Sequence, residues 1–249
     1  MSFRHVVRSE WIKFWSVRST TVLLSVAVIG FTGIGLLLCA VGMSASVVSP
    51  AGTSMTGSVL ATLVLGVLGV LVITGEYNTG LIRATLTAVP RRLIVLTAKA
   101  VVLGAVSFTV MSIAALLTFL AGQAVIGDAG MTLTDNGVIR VLLGTVAYET
   151  GAALLGLLLG TLIRSTAAAL STYFAVTFLL STTFTQFLLP EEVRATAGKF
   201  LPPQAGEAMG WAGARLPEML SPGRGALVFA GYLVLAAVLA GWRLQHSDA

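Results

Sequence analysis

The sequence predicts an all-α integral membrane protein, in which an amphipathic helix lying in the membrane plane precedes six transmembrane helices. Two observations support this fold class. First, 56% of the 249 residues are hydrophobic and only 10% are charged, which is too few charges to cover a soluble domain of this size. Second, the apolar residues form long uncharged stretches, and about 20 such residues cross a hydrocarbon core of roughly 30 Å. We expect residues 1–249 to form a single transmembrane domain.

The N-terminal segment, residues 3–18, is predicted to form the in-plane helix. At 100° per residue its larger apolar side chains share one side. Trp11, Lys13, Trp15 and Arg18 suit the headgroup region of a membrane. The alternative is a basic tail that only fixes the topology. The segment lacks a compact apolar core followed by a small-residue cleavage site, so we do not expect a cleaved signal peptide.

Six apolar stretches follow, and their bounds are approximate. They are residues 20–40, 57–75, 100–122, 138–163, 167–189 and 225–242. The fifth stretch is rich in Ser and Thr, whose hydroxyls can bond to their own helix backbone, so it need not line a polar path. The longest connection, 190–224, contains prolines between short apolar segments. We expect it to lie outside the cell, on or dipping into the outer leaflet.

The distribution of basic residues predicts the orientation. Most of the 15 Lys and Arg residues fall in the N-terminal segment and in the connections that this topology places inside, as the positive-inside rule requires. The protein is therefore expected to be a multi-pass protein of the cell membrane with both termini in the cytoplasm. Because the bases lie beside spans and form no basic domain, nucleic-acid binding is not expected. Membrane lipid is the expected contact instead.

The connection between the second and third spans, residues 76–92, is the most distinctive stretch of the chain. It begins with an acid, Glu76, continues with a short helix-like apolar pattern, and ends in Pro90, Arg91 and Arg92. A simple link needs only a few polar residues. We interpret this segment as a cytoplasmic docking surface for another protein; the alternative is a capped loop whose charges only orient the spans.

Few residues suit catalysis. The two histidines lie near the ends of the sequence and Cys39 is the single cysteine, so neither a His/Cys metal site nor a Ser-His or Cys-His nucleophile is expected within the membrane. The run Ala197-Gly198-Lys199-Phe200 lacks the earlier glycine and the hydroxyl of a P-loop. The chain is thus predicted not to be an enzyme and to have no cofactor or metal. If ATP drives it, another chain must bind the nucleotide.

Glu149, beside Tyr148, is the one acid clearly inside a predicted span. A charge there costs at least a few kcal/mol, about 2.5–3.5 on insertion scales, which favours a functional role such as a substrate contact or a proton site. The alternative is a protonated or hydrogen-bonded glutamate that faces a polar neighbour.

Several short motifs of the sequence are distinctive. They are Ser9-Glu10-Trp11-x-Lys13, Gly75-Glu76-Tyr77-x-Thr79-Gly80-Leu81-Ile82-Arg83, Val89-Pro90-Arg91-Arg92, Leu201-Pro202 and Ala205-Gly206. Together these motifs resemble those of the permease subunits of type-2 ABC exporters of the actinobacterial type. The resemblance extends over nearly the whole chain. It departs at the end, where members often have Arg-Arg-Asp-Ala and this chain has Gln245-His246-Ser247-Asp248-Ala249.

The resemblance implies a six-span type-2 permease fold and a partner set. The chain would pair with a second permease copy or a paralogue and with soluble ABC ATPase subunits, which would hold ATP and Mg. Segment 76–92 would be the coupling helix, with Glu76, Tyr77, Thr79, Gly80 and Arg83 as the coupling residues. The implied function is export of a hydrophobic or amphipathic substrate such as a drug, antibiotic, peptide or lipid. The alternative is a proton-coupled secondary transporter that uses Glu149.

Overall fold

The computed structural model describes residues 2–42, 49–88, 91–188, 190–213 and 219–246. These residues form twelve α-helices. In chain order they are α1 Phe3–Ser16, α2 Arg18–Ala40, α3 Pro50–Ser54, α4 Ser58–Thr79, α5 Leu81–Ala88, α6 Arg92–Ile126, α7 Val138–Ile163, α8 Thr166–Phe174, α9 Thr182–Leu188, α10 Glu191–Thr196, α11 Pro202–Gly210 and α12 Pro222–His246. Short 3₁₀ turns follow α6 and α10, and a π-helix, Ala175–Leu179, follows α8.

Five of these helices, α2, α4, α6, α7 and α12, are long and apolar enough to cross a membrane. The prediction of an all-α chain with several membrane-spanning helices is therefore confirmed. The bounds of α7 match the prediction, whereas α6 begins at Arg92 rather than near residue 100. As a result, Lys99 lies inside a helix and not at its end.

The stretch predicted as the fifth span is interrupted. Nine residues of α8 lead into five residues of π-helix, and a turn at Leu180 and Ser181 separates these from α9. The apolar part before the turn is about 20 Å long, shorter than the roughly 30 Å hydrocarbon core. The side-chain amide of Gln204 in α11 donates to the Leu180 carbonyl oxygen at 2.7 Å. This contact satisfies a backbone group at the break. Residue 189 lies outside the described ranges.

Two hydroxyl groups of this stretch bond to their own helix backbone, as the sequence predicts. Thr172 donates to the Ala168 carbonyl and Thr177 to the Tyr173 carbonyl, each at 2.8 Å. Both are bonds from a side chain to the preceding turn of the same helix. These hydroxyls are therefore used by the backbone of their own helix.

Helices α4 and α7 approach so closely that glycine is required at their contact. A Cβ atom on Gly156 of α7 would collide with the backbone of Gly66, and one on Gly69 of α4 would collide with the Ala153 carbonyl. Small residues at such positions let two helix backbones touch. Helix α7 also packs against α6, α11 and α12, so it is the central helix of the bundle.

Helix α11 lies within the bundle rather than on its surface. Gln204, Ala205 and Ala208 are buried, and Gly206 lies directly against the ring of Tyr148 in α7. This part of the connection 190–224 is therefore packed against α7 and α12, and its depth in the outer leaflet stays a prediction. The small residues of α11 let it fit between α7 and α12. Residues 214–218 of this connection lie outside the described ranges.

We expect Gly156→Val to destabilise the protein, because the added side chain would overlap the Gly66 backbone. Overpacking of this kind costs about 1–3 kcal/mol or more. The matched control is Gly33→Val in α2, where an added Cβ meets no atom within 4 Å. Thermal unfolding of both variants in the same detergent measures the difference. Equal melting temperatures would contradict the close contact of α4 and α7.

Candidate functional site

Four charged side chains from three helices form one connected cluster. Lys99 Nζ of α6 donates to Glu10 Oε2 of α1 at 2.6 Å and to Glu76 Oε1 of α4 at 2.7 Å. Lys13 Nζ of α1 donates to the other oxygen of Glu10, Oε1, at 2.9 Å and to Glu76 Oε1 at 3.2 Å. We call Glu10, Lys13, Glu76 and Lys99 the ion-pair cluster. It joins the N-terminal helix to two membrane-spanning helices.

The ion-pair cluster is buried and its formal charges balance. The side chains of Lys99 and Glu10 are 2% and 3% exposed, and that of Glu76 is 10% exposed. Buried charges are tolerated when they are paired and hydrogen-bonded. Two acids against two bases leave no net charge, so the cluster meets this condition. Lys13 is the most exposed member, at 29%.

The surroundings of Lys13 keep it charged. Burial acts to lower its pKa, but the hydrogen bond to Glu10 and the negative charge of Glu76 outweigh that effect and raise the pKa above its ordinary value. The folded-state pKa is therefore the higher one. The stabilisation from Lys13 is fully present at neutral pH and is lost only as the pH rises through that raised value.

The pattern of α1 explains how Glu10 enters the protein. Val6, Glu10 and Phe14 are the buried residues of α1 and lie four residues apart, so they form one stripe of the helix. Val6 packs on Val95 and Ala98 of α6. An acid in the middle of this apolar stripe needs a basic partner. That partner is Lys99, which follows Ala98 in α6.

The residues predicted to couple to an ATPase fall into different environments. Glu76 is a member of the ion-pair cluster, and one of its oxygens accepts from both lysines. Tyr77 is half-buried under the guanidinium of Arg164, 5.6 Å from its ring centre. Thr79 is exposed and its hydroxyl donates to the Gly75 carbonyl at 2.9 Å. The backbone of Arg83 lies in α5, whereas its side chain is outside what the structure describes.

Gly80 produces the change of direction at the end of α4. Its φ of 71° places it in the left-handed region, where glycine has no steric penalty. The short helix α5 follows immediately. Its Thr85 hydroxyl accepts a hydrogen bond from Lys13 Nζ at 3.1 Å, so α5 is linked to the ion-pair cluster as well.

Other contacts gather the ends of several helices on this side of the bundle. Asn78 at the end of α4 donates to the Thr166 hydroxyl of α8 at 2.9 Å. Arg92 of α6 and Arg164 at the end of α7 donate to the carbonyls of Leu244 and Arg243, at 3.0 and 3.2 Å. Cations at the C-terminal end of a helix such as α12 are electrostatically favourable.

The residues predicted to lie in the membrane interface divide into two groups. Trp11 and Trp15 are 47% and 43% exposed and contact each other edge-on, with ring centres 5.8 Å apart. Exposed indole rings of this kind suit a headgroup region. Lys13 points inward to the ion-pair cluster instead. Arg18 is exposed and begins α2 after a single extended residue, Val17.

Glu149 and Tyr148 lie in the middle of α7. Glu149 is fully buried, and neither of its carboxylate oxygens has a hydrogen-bond partner among the described residues. Tyr148 packs edge-on against Phe229 of α12, with ring centres 5.3 Å apart, and against Gly206 of α11. The two neighbours in sequence therefore do not form a shared polar site. Within the described ranges, no three His, Cys, Asp or Glu residues converge to hold a metal ion.

Sequence reasoning missed two members of the ion-pair cluster, Glu10 and Lys99, as site residues. A signal was present in α1, where an acid occupies the stripe of Val6 and Phe14. A second signal was the length of the apolar pattern around Lys99, which continues on both sides of it. The pairing itself joins residues far apart in the sequence and needs the fold.

No protein-family model and no curated protein matches this chain.

We expect Lys99→Met to destabilise the protein strongly, because it leaves two buried acids with one partially exposed base. Removing one partner of a buried pair costs about 3–5 kcal/mol, which corresponds to a melting-temperature drop of roughly 6–20 °C for a chain of this size. Lys13→Met is the matched control and should cost less, since Lys13 is more exposed. Thermal unfolding in one detergent compares the two.

The single variants Glu10→Gln and Lys99→Met and the double variant Glu10→Gln/Lys99→Met form a double-mutant cycle. If Glu10 and Lys99 interact, the double variant is more stable than the sum of the single losses implies. Additive losses, or a larger loss for Lys13→Met than for Lys99→Met, would contradict the arrangement of the cluster.

Proposed function

We propose that this chain is the membrane-spanning permease subunit of an ATP-driven ABC exporter of the type-2 kind. It would lie in the cell membrane with both termini in the cytoplasm and pair with a second permease copy or a paralogue. Soluble ABC ATPase subunits would supply the energy. The cargo would be a hydrophobic or amphipathic molecule. The interrupted stretch α8–α9 would be the fifth of six membrane crossings, in addition to the five long apolar helices.

The observation that carries this proposal is the mechanical connection of α5. This short helix lies between two long apolar helices, α4 and α6, and is set apart from α4 by the left-handed Gly80. Through Lys13 it is linked to the ion-pair cluster, which bonds α1, α4 and α6. A partner that pushes on α5 would therefore move the N-terminal helix and two spanning helices together. That is the property a coupling element needs.

The chemistry of the chain supports a transport subunit driven by a separate motor. The sequence has no P-loop, so ATP binding would require another chain. The segment that resembles a coupling helix, Gly75 to Arg83, contains Glu76 of the ion-pair cluster and the start of α5. The resemblance of its sequence and the contacts of its side chains support the proposal separately.

A second candidate function is a proton-coupled secondary transporter, which the environment of Glu149 favours. Ionisable residues inside membrane segments commonly mark ion or proton pathways. Glu149 is buried, and neither carboxylate oxygen has a hydrogen-bond partner among the described residues. A structural hydrogen bond within that part of the chain therefore does not account for this glutamate. Proton coupling would need no ATPase partner.

We expect Arg83→Glu to make ATP hydrolysis by the partner ATPase independent of this chain, because the substitution reverses a charge on the proposed coupling helix α5. The folding of the chain should be unchanged. Arg4→Glu in α1 is the matched control, because Arg4 is an exposed base outside the coupling segment. The measurement is ATP hydrolysis by a complex with a soluble P-loop ATPase, sought first in the neighbouring gene. If the Arg83→Glu and Arg4→Glu variants stimulate ATP hydrolysis by the partner ATPase equally, α5 does not have the coupling role.

We expect Glu149→Gln to retain ATP-driven export, because glutamine keeps the size of glutamate and removes only the ionisable proton. Export and ATP hydrolysis by the reconstituted complex, with expression checked, are the measurements. Loss of transport with normal ATP hydrolysis and expression would support a functional Glu149. Transport by the chain alone, driven by a pH gradient, would replace the first candidate by the second.

A further inference from the structure

A cavity of about 380 Å³ lies beside the ion-pair cluster, between the N-terminal helix and the spanning helices. Its walls are largely apolar and come from Phe14 of α1, Leu71 and Val72 of α4, Leu81 of α5 and Val102 of α6. All four members of the ion-pair cluster also line it. An apolar cavity with a few converging polar groups is the usual form of a small-molecule site.

One carboxylate oxygen at this cavity is left without a donor. Oε1 of Glu76 accepts from both lysines, whereas Oε2 is buried and has no hydrogen-bond partner among the described residues. Both oxygens of Glu10 are occupied by lysines. Lys99 Nζ makes two of the three hydrogen bonds that an ammonium can donate. Buried polar atoms of proteins normally find a partner, and Glu76 is one of the residues that line the cavity.

Charge selects the kind of ligand head group. The ion-pair cluster already balances two acids with two bases, so an added cation would meet the two lysines and an added anion the two glutamates. A neutral hydroxyl avoids both repulsions. It donates one hydrogen bond, as Glu76 Oε2 requires, and it can accept one from Lys99 Nζ.

The size and the walls of the cavity select the rest of the ligand. The volume of about 380 Å³ lies in the range of ligand sites and is enough for one alkyl chain. The apolar walls match such a chain.

We propose that this cavity is a binding site for a neutral single-chain amphiphile whose hydroxyl group bonds to Glu76. Such a molecule has two sources, a single-chain membrane lipid such as a monoacylglycerol or a hydroxylated apolar compound that enters from water. The inference stands on the cavity and its polar atoms, and it does not rest on the proposed function.

A cavity-filling substitution at Gly75 tests the site with little disturbance of the fold. Gly75 lines the cavity, and an added Cβ there meets no atom within 4 Å. We therefore expect Gly75→Leu to reduce the cavity volume and to leave the backbone in place. The matched control is Gly33→Leu in α2, where an added Cβ also meets no atom within 4 Å and which is not among the cavity-lining residues. Leu71→Trp is the second filling variant should Gly75→Leu not yield folded protein.

The full chain in lipid nanodiscs is labelled with two photoreactive diazirine probes, and the labelled residues are mapped by mass spectrometry. One probe is a monoacylglycerol placed in the bilayer, and the other is a C10 alcohol added from water. We expect labelling at the cavity walls, at least tenfold weaker in Gly75→Leu and unchanged in Gly33→Leu. We also expect 1-decanol to compete better than decylammonium or decanoate.

The two probes distinguish the sources of the ligand. Cavity labelling by the monoacylglycerol alone supports a membrane lipid, and labelling by the C10 alcohol alone supports a compound from water. Equal labelling of wild type and the filling variant would overturn the proposal. Stronger competition by decylammonium or decanoate than by decanol would overturn the assignment of a neutral hydroxyl group.

Discussion

Four charged side chains, three of them buried, hold the N-terminal helix against the bundle, and much of the structure on that side depends on them. Apolar packing between α1 and α6 is non-directional and would tolerate several relative positions of the two helices. The ion-pair cluster does not, because each lysine must reach two carboxylates at hydrogen-bond distance. A displacement of α1 by one turn would separate Glu10 from Lys99 and Lys13 from Glu76. The cluster therefore specifies the position of α1 more than it adds net stability, a role that buried ion pairs have in some proteins.

The contacts of the central helix α7 depend on a different kind of interaction. The contacts between α7, α4 and α11 rely on glycines that bring backbones or aromatic rings together, as at Gly156 and Gly206. Helices in a lipid environment associate through such close packing. The bundle thus combines a central helix that is packed through small residues with an end where charges join α1, α4, α5 and α6. If a partner acts on this chain, that end is where the force would be transmitted.

The sequence predicted the long helices well and the contacts between distant residues poorly. Residues 138–163 were predicted with the observed bounds because a charge-poor apolar stretch of membrane length has few other conformations. The ion-pair cluster was not predicted, since Lys13 and Glu76 were assigned to separate roles and neither Glu10 nor Lys99 was predicted as a site residue. Their partners lie many residues apart, and no local pattern shows which acid meets which base.

The interruption between α8 and α9 illustrates the same limit. Its sequence is that of one apolar, hydroxyl-rich span, and the hydroxyl groups of Thr172 and Thr177 do bond to their own helix backbone. The backbone carbonyl at the break, however, is satisfied by Gln204 from α11. A hydrogen bond from another helix, α11, therefore occurs where the stretch is interrupted. The buried position of α11 was missed for a related reason, because its small residues do not show which helix they contact.

We infer that the ion-pair cluster makes α1 and the end of α4 move as one unit. Electron-spin distance measurement tests this inference, with labels at the exposed positions Arg8 and Thr79 in a Cys39→Ala background. We expect one narrow distance distribution, unchanged when a partner ATPase and nucleotide are added, and a broad one in Lys99→Met. A broad or shifting distance in the otherwise unaltered chain, or an unchanged distribution in Lys99→Met, would contradict it.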